Sequence, residues 1–152
     1  MDAPIKRQRA RLRVMDSARK IQDDLRLPAR ALREDIPDVM KGFAELSVAA
    51  MKDGALSART KELMALAIAI SKQCDGCIAA HARGAVRTGA SEAEVAEAIG
   101  VAILMNGGPG TVYGPRALAA FHEFADQVAP TAPTTPTAPT APTTPTTPTA
   151  SA

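Results

Sequence analysis

A chain of 152 residues is long enough for one domain with a modest core, and its formal charge of +2 excludes a strongly basic or strongly acidic protein. The longest apolar run, Leu63 to Ile70, is too short to cross a membrane, and the first ten residues contain no apolar segment typical of a secretory signal. With one Tyr, three Phe and no Trp, the core must be built from aliphatic side chains, and alanine-rich helices of this kind often rely on oligomerisation.

The positive charge is concentrated at the N-terminus, where residues 1–33 carry ten Lys and Arg against four Asp and Glu. Residues 9–27 have the apolar spacing of a weakly amphipathic helix, which we expect Pro28 to end. Basic side chains could contact phosphates, but no aromatic side chains are interleaved with them and no recognition-helix signature is present. The pattern therefore favours a basic helical extension over residues 1–33 that contacts an acidic neighbouring subunit rather than nucleic acid.

Two apolar helices are predicted next. Pro37 suits the first turn of a helix, and the apolar residues after it recur at three- and four-residue spacing, which predicts one buried stripe: Val39, Met40, Phe43, Leu46, Ala50 and Met51. Asp53 and Gly54 should end this helix. Ser57 can cap a third helix, which is apolar on most faces and therefore belongs in the centre of the fold or in a subunit interface.

The remaining helices are marked by caps and glycines. Asp75 can serve as the N-cap of a helix that runs to Gly89, and the Ser-Glu-Ala-Glu segment at 91–94 is a capping box before a fifth helix. Residues 106–110, Asn-Gly-Gly-Pro-Gly, should break that helix, and the absence of a preceding strand or a following Gly-Lys-Ser/Thr argues against a phosphate-binding loop. A last helix is expected over about Gly114 to Val128, with Leu118, Phe121 and Phe124 facing inward.

These elements predict an all-α fold of about six helices, with a compact domain over residues 34–129. From residue 130 to residue 152 the chain consists almost entirely of Pro, Thr and Ala. Because this composition favours polyproline II and cannot bury a core, we predict a disordered tail over this segment. The tail could act as a solubilising spacer or attach the protein to a larger assembly.

The two cysteines of the chain, Cys74 and Cys77, stand at C-x-x-C spacing, and His81 follows four residues later. Such a pair can close and reopen a disulfide, and without a sign of export it is more typical of a working dithiol than of a structural bridge. In the first turn of a helix, unpaired N–H groups stabilise a thiolate at Cys77, and His81 on the same face can take the thiol proton. Cys74 is then placed to attack an oxidised Cys77, whereas the Asp75 carboxylate opposes thiolate formation.

Other roles for these residues stay open at this point. A structural zinc ion needs four ligands, whereas Cys74, Cys77 and His81 supply three and His122 is the only other candidate, so we predict no metal site. A purely structural disulfide across so short a loop would add little stability. Glu62, on the mostly apolar third helix, is better explained as a buried functional carboxylate than as an exposed partner of a basic neighbour. It needs a bend in the chain before Cys74 to approach His81.

The combination of Glu62, the C-x-x-C pair and His81 resembles the pattern of alkylhydroperoxidase D-like proteins in the carboxymuconolactone decarboxylase superfamily. The similarity covers about residues 37–124 and includes the segments Asp53-Gly54-Ala55-Leu56, Lys61-Glu62-Leu63, Gly89-Ala90-Ser91 and Tyr113-Gly114. The best-studied peroxidases of this family also carry a histidine between the cysteines, where this chain has Gly76.

The resemblance implies an all-α homotrimer or homohexamer with a buried dithiol that reduces hydroperoxides. Carried over by position, it implies that Cys77 is the peroxidatic cysteine and Cys74 the resolving one. His81 would accept the proton of Cys77, and Glu62 would complete the relay.

We therefore predict a cytoplasmic, homo-oligomeric thiol peroxidase that reduces organic hydroperoxides, needs no bound cofactor and is reset by an external protein or small-molecule dithiol. Neither a membrane nor nucleic acid is an expected partner. Two alternatives stand beside this prediction. One is a protein disulfide reductase or redox relay, for which peroxide is incidental, and the other is a non-catalytic assembly protein whose dithiol senses oxidation.

Overall fold

The computed structural model describes residues 17–127, which form six α-helices and no β-strand. In chain order the helices are α1 (Ala18–Asp35), α2 (Pro37–Met51), α3 (Ala58–Ser71), α4 (Asp75–Arg87), α5 (Glu92–Asn106) and α6 (Gly108–Ala125). The predicted all-α fold is thus confirmed over this part of the chain. The predicted tail at 130–152 and the basic residues before Ser17 lie outside the described residues. Nowhere in 17–127 is a helix both long and apolar enough to span a membrane.

The core lies between α3, α4, α5 and α6, each of which packs against at least two of the others. Its largest fully buried side chains are Leu66, Ile70 and Val95, and alanines fill much of the remaining space. Phe121 and Phe124 face inward from α6, as the sequence predicted. Because alanine side chains are small, the helices can approach one another closely. Each alanine buries little apolar area, so the core depends on tight contact between neighbouring helices.

The N-cap residues predicted from the sequence for α3 and α5 are confirmed. Ser57 Oγ accepts a hydrogen bond from the Thr60 N–H and caps α3. At the start of α5 the capping box is complete, because Ser91 Oγ accepts from the Glu94 N–H while Glu94 Oε2 accepts from the Ser91 N–H at 2.8 Å. That backbone N–H stabilises the ionised carboxylate and lowers the pKa of Glu94. These caps form within four residues, which is why the sequence alone reveals them.

The expectation that Pro28 ends the first helix is wrong, since α1 continues through it to Asp35. A proline inside a helix removes one N–H donor, which leaves the carbonyl of Asp24 without its helical partner. Both residues are exposed, so water can hydrate that carbonyl. The face of α1 that packs against α4 stabilises the helix through the proline.

The last helix begins six residues earlier than predicted, at Gly108 rather than Gly114. Pro109 lies in its first turn, where a missing N–H costs nothing, and Gly107 supplies the positive φ of the sharp turn after α5. Gly110 and Gly114 are buried against α5. Close packing of the two helices therefore overrides the low helix propensity of glycine.

The prediction that α2 buries an apolar stripe is also wrong for the single chain. None of the residues of α2 is buried, and Phe43 and Leu46 are each 64% exposed. The main contacts of the helix are with α1 and α3. An apolar stripe predicts that a face is covered, but it does not say whether the cover comes from the same chain.

Glu123 near the end of α6 fixes the start of α1. Its carboxylate accepts a hydrogen bond from the Ala18 N–H at 2.9 Å and another from Ser17 Oγ. Arg19 bonds the carbonyl oxygen of Glu123 at 3.1 Å. A carboxylate at a helix N-terminus satisfies free N–H groups and complements the helix dipole. This contact anchors α1 on the four-helix core, with Leu25 lying over α4.

The contact between α5 and α6 leads to a stability prediction. A methyl group on Gly110 would lie 2.8 Å from Ile103 Cα, so Gly110→Ala must push the two helices apart and should cost about 1–3 kcal/mol of unfolding free energy. Gly100 lies within α5 and has open space around it. Gly100→Ala is therefore the matched control and should stabilise the protein by about 0.5–1 kcal/mol. Urea denaturation measures both, and equal effects would contradict the predicted close approach.

Candidate active site

The connection between α3 and α4 determines the geometry of the site. Gln73 adopts a left-handed conformation with φ of 54°. Its N–H donates to the carbonyl of Ile70 at 3.0 Å, and the Cys74 N–H donates to the carbonyl of Ala69 at 3.2 Å. This pair of bonds is a Schellman motif, which ends α3 and reverses the chain within two residues. It supplies the bend that the approach of Glu62 to His81 requires.

Cys74 and Cys77 are joined by a disulfide, with their Cα atoms 5.2 Å apart. Cys74 is also the N-cap of α4, because its Sγ accepts a hydrogen bond from the Cys77 N–H at 3.2 Å. The sequence predicted Asp75 in this position, and that prediction is wrong by one residue. Asp75 is instead the first helical residue, because the Schellman motif ends at Cys74 and the helix begins directly after it.

The dithiol lies at the surface of the single chain. Cys77 is exposed and Cys74 is half-buried. The resemblance had implied a buried dithiol, and within one chain this expectation is wrong. Cover comes from α1, where Leu25 Cδ1 lies 3.4 Å from the position of a Cβ on Gly76. This contact covers Gly76 in the first turn of α4 and leaves Cys77 exposed.

Glu62 and His81 meet between α3 and α4. His81 Nδ1 lies 2.8 Å from Glu62 Oε2. The Glu62 side chain is only 8% exposed, whereas that of His81 is 33% exposed. A carboxylate accepts hydrogen bonds, so this contact assigns the proton of a neutral imidazole to Nδ1 and leaves a lone pair on Nε2. Nε2 has no protein hydrogen bond within residues 17–127, and His81 follows Cys77 by one helical turn.

Two further residues, Arg87 and Gly84, lie against the Glu62 carboxylate, and neither was predicted from the sequence. Arg87 Nη2 lies 3.7 Å from Glu62 Oε1, although the arginine itself is mostly exposed. Gly84 is buried directly beneath the carboxylate, and a Cβ at this position would overlap all three atoms of the carboxyl group. Gly84 lies one turn after His81 in the interior of α4. A glycine in a helix interior is a signal of close approach that the sequence does offer.

A second ion pair lies beside the disulfide. Arg116 Nη2 of α6 donates to Asp75 Oδ2 at 3.0 Å, across 41 residues of chain. The guanidinium carbon of Arg116 also lies 5.1 Å from the centre of the Tyr113 ring. A cation over an aromatic ring is attracted to its negative face, so both contacts hold the arginine beside the start of α4.

No set of three His, Cys, Asp or Glu side chains within residues 17–127 is placed to hold a metal ion. The two sulfurs that a zinc site would use are bonded to each other. His122 stands apart from them, with Nε2 3.0 Å from Glu92 Oε2 at the start of α5.

Comparison with known proteins places this arrangement in context. The model of the carboxymuconolactone decarboxylase family matches residues 37–126. An uncharacterised protein of Cupriavidus necator is 42% identical over 91 residues, which is 60% of this chain and 80% of the relative. The uncharacterised protein 4 in the cox locus of Paracoccus denitrificans is 43% identical over 81 residues, 53% of this chain and 73% of that protein.

The fold is also similar to a solved structure. The crystal structure of an apo carboxymuconolactone decarboxylase family protein from Legionella pneumophila superposes with a TM-score of 0.70 at 42% sequence identity. The match covers 73% of this chain and 99% of the Legionella chain. The shared region is thus essentially the whole of that protein.

The contact between Gly84 and Glu62 can be tested by a double-mutant cycle. Gly84→Ala should displace the carboxylate from His81 and cost about 1–3 kcal/mol of unfolding free energy, because the added methyl group has no space. In a Glu62→Ala background the same substitution should cost clearly less, since the obstructing group is gone. Urea denaturation of the four proteins gives the coupling energy. An equal loss of unfolding free energy in both backgrounds would show that a side chain at position 84 does not clash with the Glu62 carboxylate.

Proposed function

Since this chain belongs to the carboxymuconolactone decarboxylase family, we propose that it is a thiol-dependent peroxidase that reduces organic hydroperoxides through Cys74 and Cys77. The observation that carries the proposal is one helix start. There, a closed C-x-x-C disulfide precedes a histidine by one turn, and that histidine is hydrogen-bonded to a buried glutamate. A redox-active pair and a general base are the two groups that thiol-based peroxide reduction needs.

The first step of the proposed reaction takes place at Cys77, the more exposed cysteine. His81 Nε2 takes the thiol proton, and the thiolate attacks the distal oxygen of the hydroperoxide. An S–O bond forms as the O–O bond breaks, and the departing alkoxide takes the proton back from His81. The products are an alcohol and a sulfenic acid on Cys77. Glu62 keeps the imidazole in the tautomer that this transfer requires.

The second step regenerates the state that the structure contains. The Cys74 thiol condenses with the sulfenic acid, which releases water and forms the disulfide. An external dithiol, either a protein or a small molecule, then reduces the disulfide by two exchange reactions and is itself oxidised. The two electrons for each hydroperoxide therefore come from that dithiol, and the proposal needs no resident cofactor.

A second candidate function is disulfide exchange with a protein partner, and the exposure of Cys77 favours it. An exposed sulfur admits a large partner as readily as a small peroxide. In that case the same dithiol would pass electrons to a protein disulfide, and peroxide would be incidental. A dithiol that only senses oxidation within an assembly is the third possibility, and thiols with unshifted reactivity would support it.

We also propose that the active form is a homotrimer or homohexamer. The single chain exposes large apolar side chains on five of its helices, among them Leu32, Val39, Phe43, Leu46, Met64, Ile68, Val101, Leu104, Met105 and Val112. Exposed apolar surface on this scale is typical of a subunit interface. A cytoplasmic location, where a dithiol is kept reduced, stays a prediction.

The peroxidase proposal predicts fast loss of thiols when the reduced protein meets cumene hydroperoxide in a stopped-flow experiment. Cys77→Ser should abolish the fast phase, and His81→Ala should slow it by about 100-fold or more because the general base is lost. His122→Ala removes the other histidine, which pairs with Glu92 and not with Glu62, and should leave the rate unchanged. Thiol loss no faster than that of free cysteine would reject the peroxidase and move the search to protein disulfides.

The assembly proposal predicts a change of mass in solution. Phe43→Glu places a charge on the exposed apolar face of α2 and should shift the protein towards the monomer in sedimentation velocity. Lys41→Glu changes an exposed charge on the same helix and is the matched control, which should assemble like the parent protein. A parent protein that sediments as a monomer would contradict the proposal.

A further inference from the structure

The ion pair between Asp75 and Arg116 lies beside the reactive sulfurs. Asp75 directly follows Cys74 and stands two residues before Cys77 in the first turn of α4. Arg116 reaches it from α6, with a hydrogen bond of 3.0 Å. The side chains are 35% and 26% exposed, so water screens the pair less than it screens a surface pair. The guanidinium also lies over the face of the Tyr113 ring.

An aspartate in this position has two opposite effects. Its charge stabilises the N-terminus of α4 by complementing the helix dipole. The same charge opposes the formation of a thiolate at Cys77, which the proposed reaction requires. A cation that pairs with the carboxylate cancels most of its field at the sulfur, since the two charges then act as a compact dipole.

We propose that Arg116 is a positioning residue of the dithiol, which neutralises Asp75 so that Cys77 can ionise. The proposal rests on the proposed function for its purpose, because the thiolate is the nucleophile of that reaction. It assigns to Arg116 an effect on the reactivity of Cys77 without any contact between the arginine and the substrate.

The other charged groups on α4 or beside it either have partners of their own or are exposed, as Arg83 is. From α3, Glu62 is held by His81 and Arg87, and Lys72 is exposed at the helix end. On α6, Glu123 and His122 pair with Arg19 and Glu92. From α1, the half-buried positions beyond Arg19 are uncharged, namely Ile21, Gln22 and Ala29. The charged neighbours of Leu25, Asp24 and Arg26, are exposed, and Asp24 pairs with Lys20. Asp75 and Arg116 are therefore the pair whose balance bears most directly on the cysteines.

A purely structural ion pair makes a different prediction from an electrostatic one. Arg116→Gln and Asp75→Asn break the same bond, so a structural role predicts that both variants change Cys77 in the same direction. The electrostatic role predicts opposite directions. Losing the arginine leaves an unbalanced carboxylate, which raises the pKa of the Cys77 thiol, and losing the aspartate leaves an unbalanced guanidinium, which lowers it.

The experiment titrates Cys77 in the full chain with Cys74→Ser, so that only one thiol is present. Thiolate absorbance and the rate of iodoacetamide alkylation are followed against pH. We expect a shift of about 0.5–1 pH unit upward for Arg116→Gln and a similar shift downward for Asp75→Asn. The double variant should lie between the two, and Arg116→Lys, which retains the charge, should stay close to the parent.

Shifts of the same sign in the two single variants, or no shift in either, would overturn the proposal. If Arg116→Gln fails to fold, Asp75→Asn still decides, since only a downward shift agrees with the proposal. Arg59→Gln is the control for loss of one positive charge. Arg59 pairs with Glu94 at the opposite end of α3 from the cysteines, and its removal should leave the titration unchanged.

This titration uses no peroxide, so its result is independent of the peroxidase assay. Opposite shifts together with slow peroxide reduction would retain the role of Arg116 and reject the substrate. Fast peroxide reduction without these shifts would retain the peroxidase and reject the role of Arg116.

Discussion

The reversal of the chain at Gln73 is the constraint on which the site depends. One Schellman motif ends α3 and places Cys74 at the N-cap of α4, so that no flexible loop separates the two helices. This short connection fixes the register between the helices. Glu62 on α3 therefore comes opposite His81 on α4, although 19 residues separate them. A longer loop would leave that register free, and the buried carboxylate would lose its partner.

A buried carboxylate is costly unless its oxygens are paired, and the site reflects this cost. His81 bonds one oxygen of Glu62, and Arg87 approaches the other from the surface. Gly84 provides the space that the carboxyl group occupies. The arrangement thus places three residues of α4, spaced three residues apart, around one group from α3. The hydrogen bond to this buried carboxylate orients the imidazole ring of His81.

What the sequence could predict follows from the range of each interaction. The caps at Ser57 and Ser91 involve neighbours within four residues, and the sequence placed both. Helix α1 continues through Pro28 and α6 starts early at Gly108 because of packing against distant helices, which no local pattern reveals. The stripe on α2 had the spacing of a buried face, but a single chain leaves it uncovered.

The same distinction applies to the site. Glu62, Cys74, Cys77 and His81 were candidates because their residue types and spacing suggest chemistry, and the structure joins them as two neighbouring pairs. Their catalytic roles stay a proposal. Arg116 had no such signal, since it lies 41 residues from Asp75 in a helix whose start was misplaced. Gly84 did carry a signal, because a glycine inside a helix requires a reason.

Cys74 combines two functions that are usually separate, and this combination bears on the direction of the proposed cycle. Its sulfur is both half of the disulfide and the acceptor for the Cys77 N–H. A reductant that approaches from solvent meets Cys77 first, because Cys77 is exposed and Cys74 is half-buried. Attack at Cys77 expels Cys74 as a thiolate into the position where the free N–H groups of α4 stabilise negative charge. In the proposed cycle, the helix start would thus favour reopening of the disulfide, and His81 would favour the Cys77 thiolate that begins the next turnover.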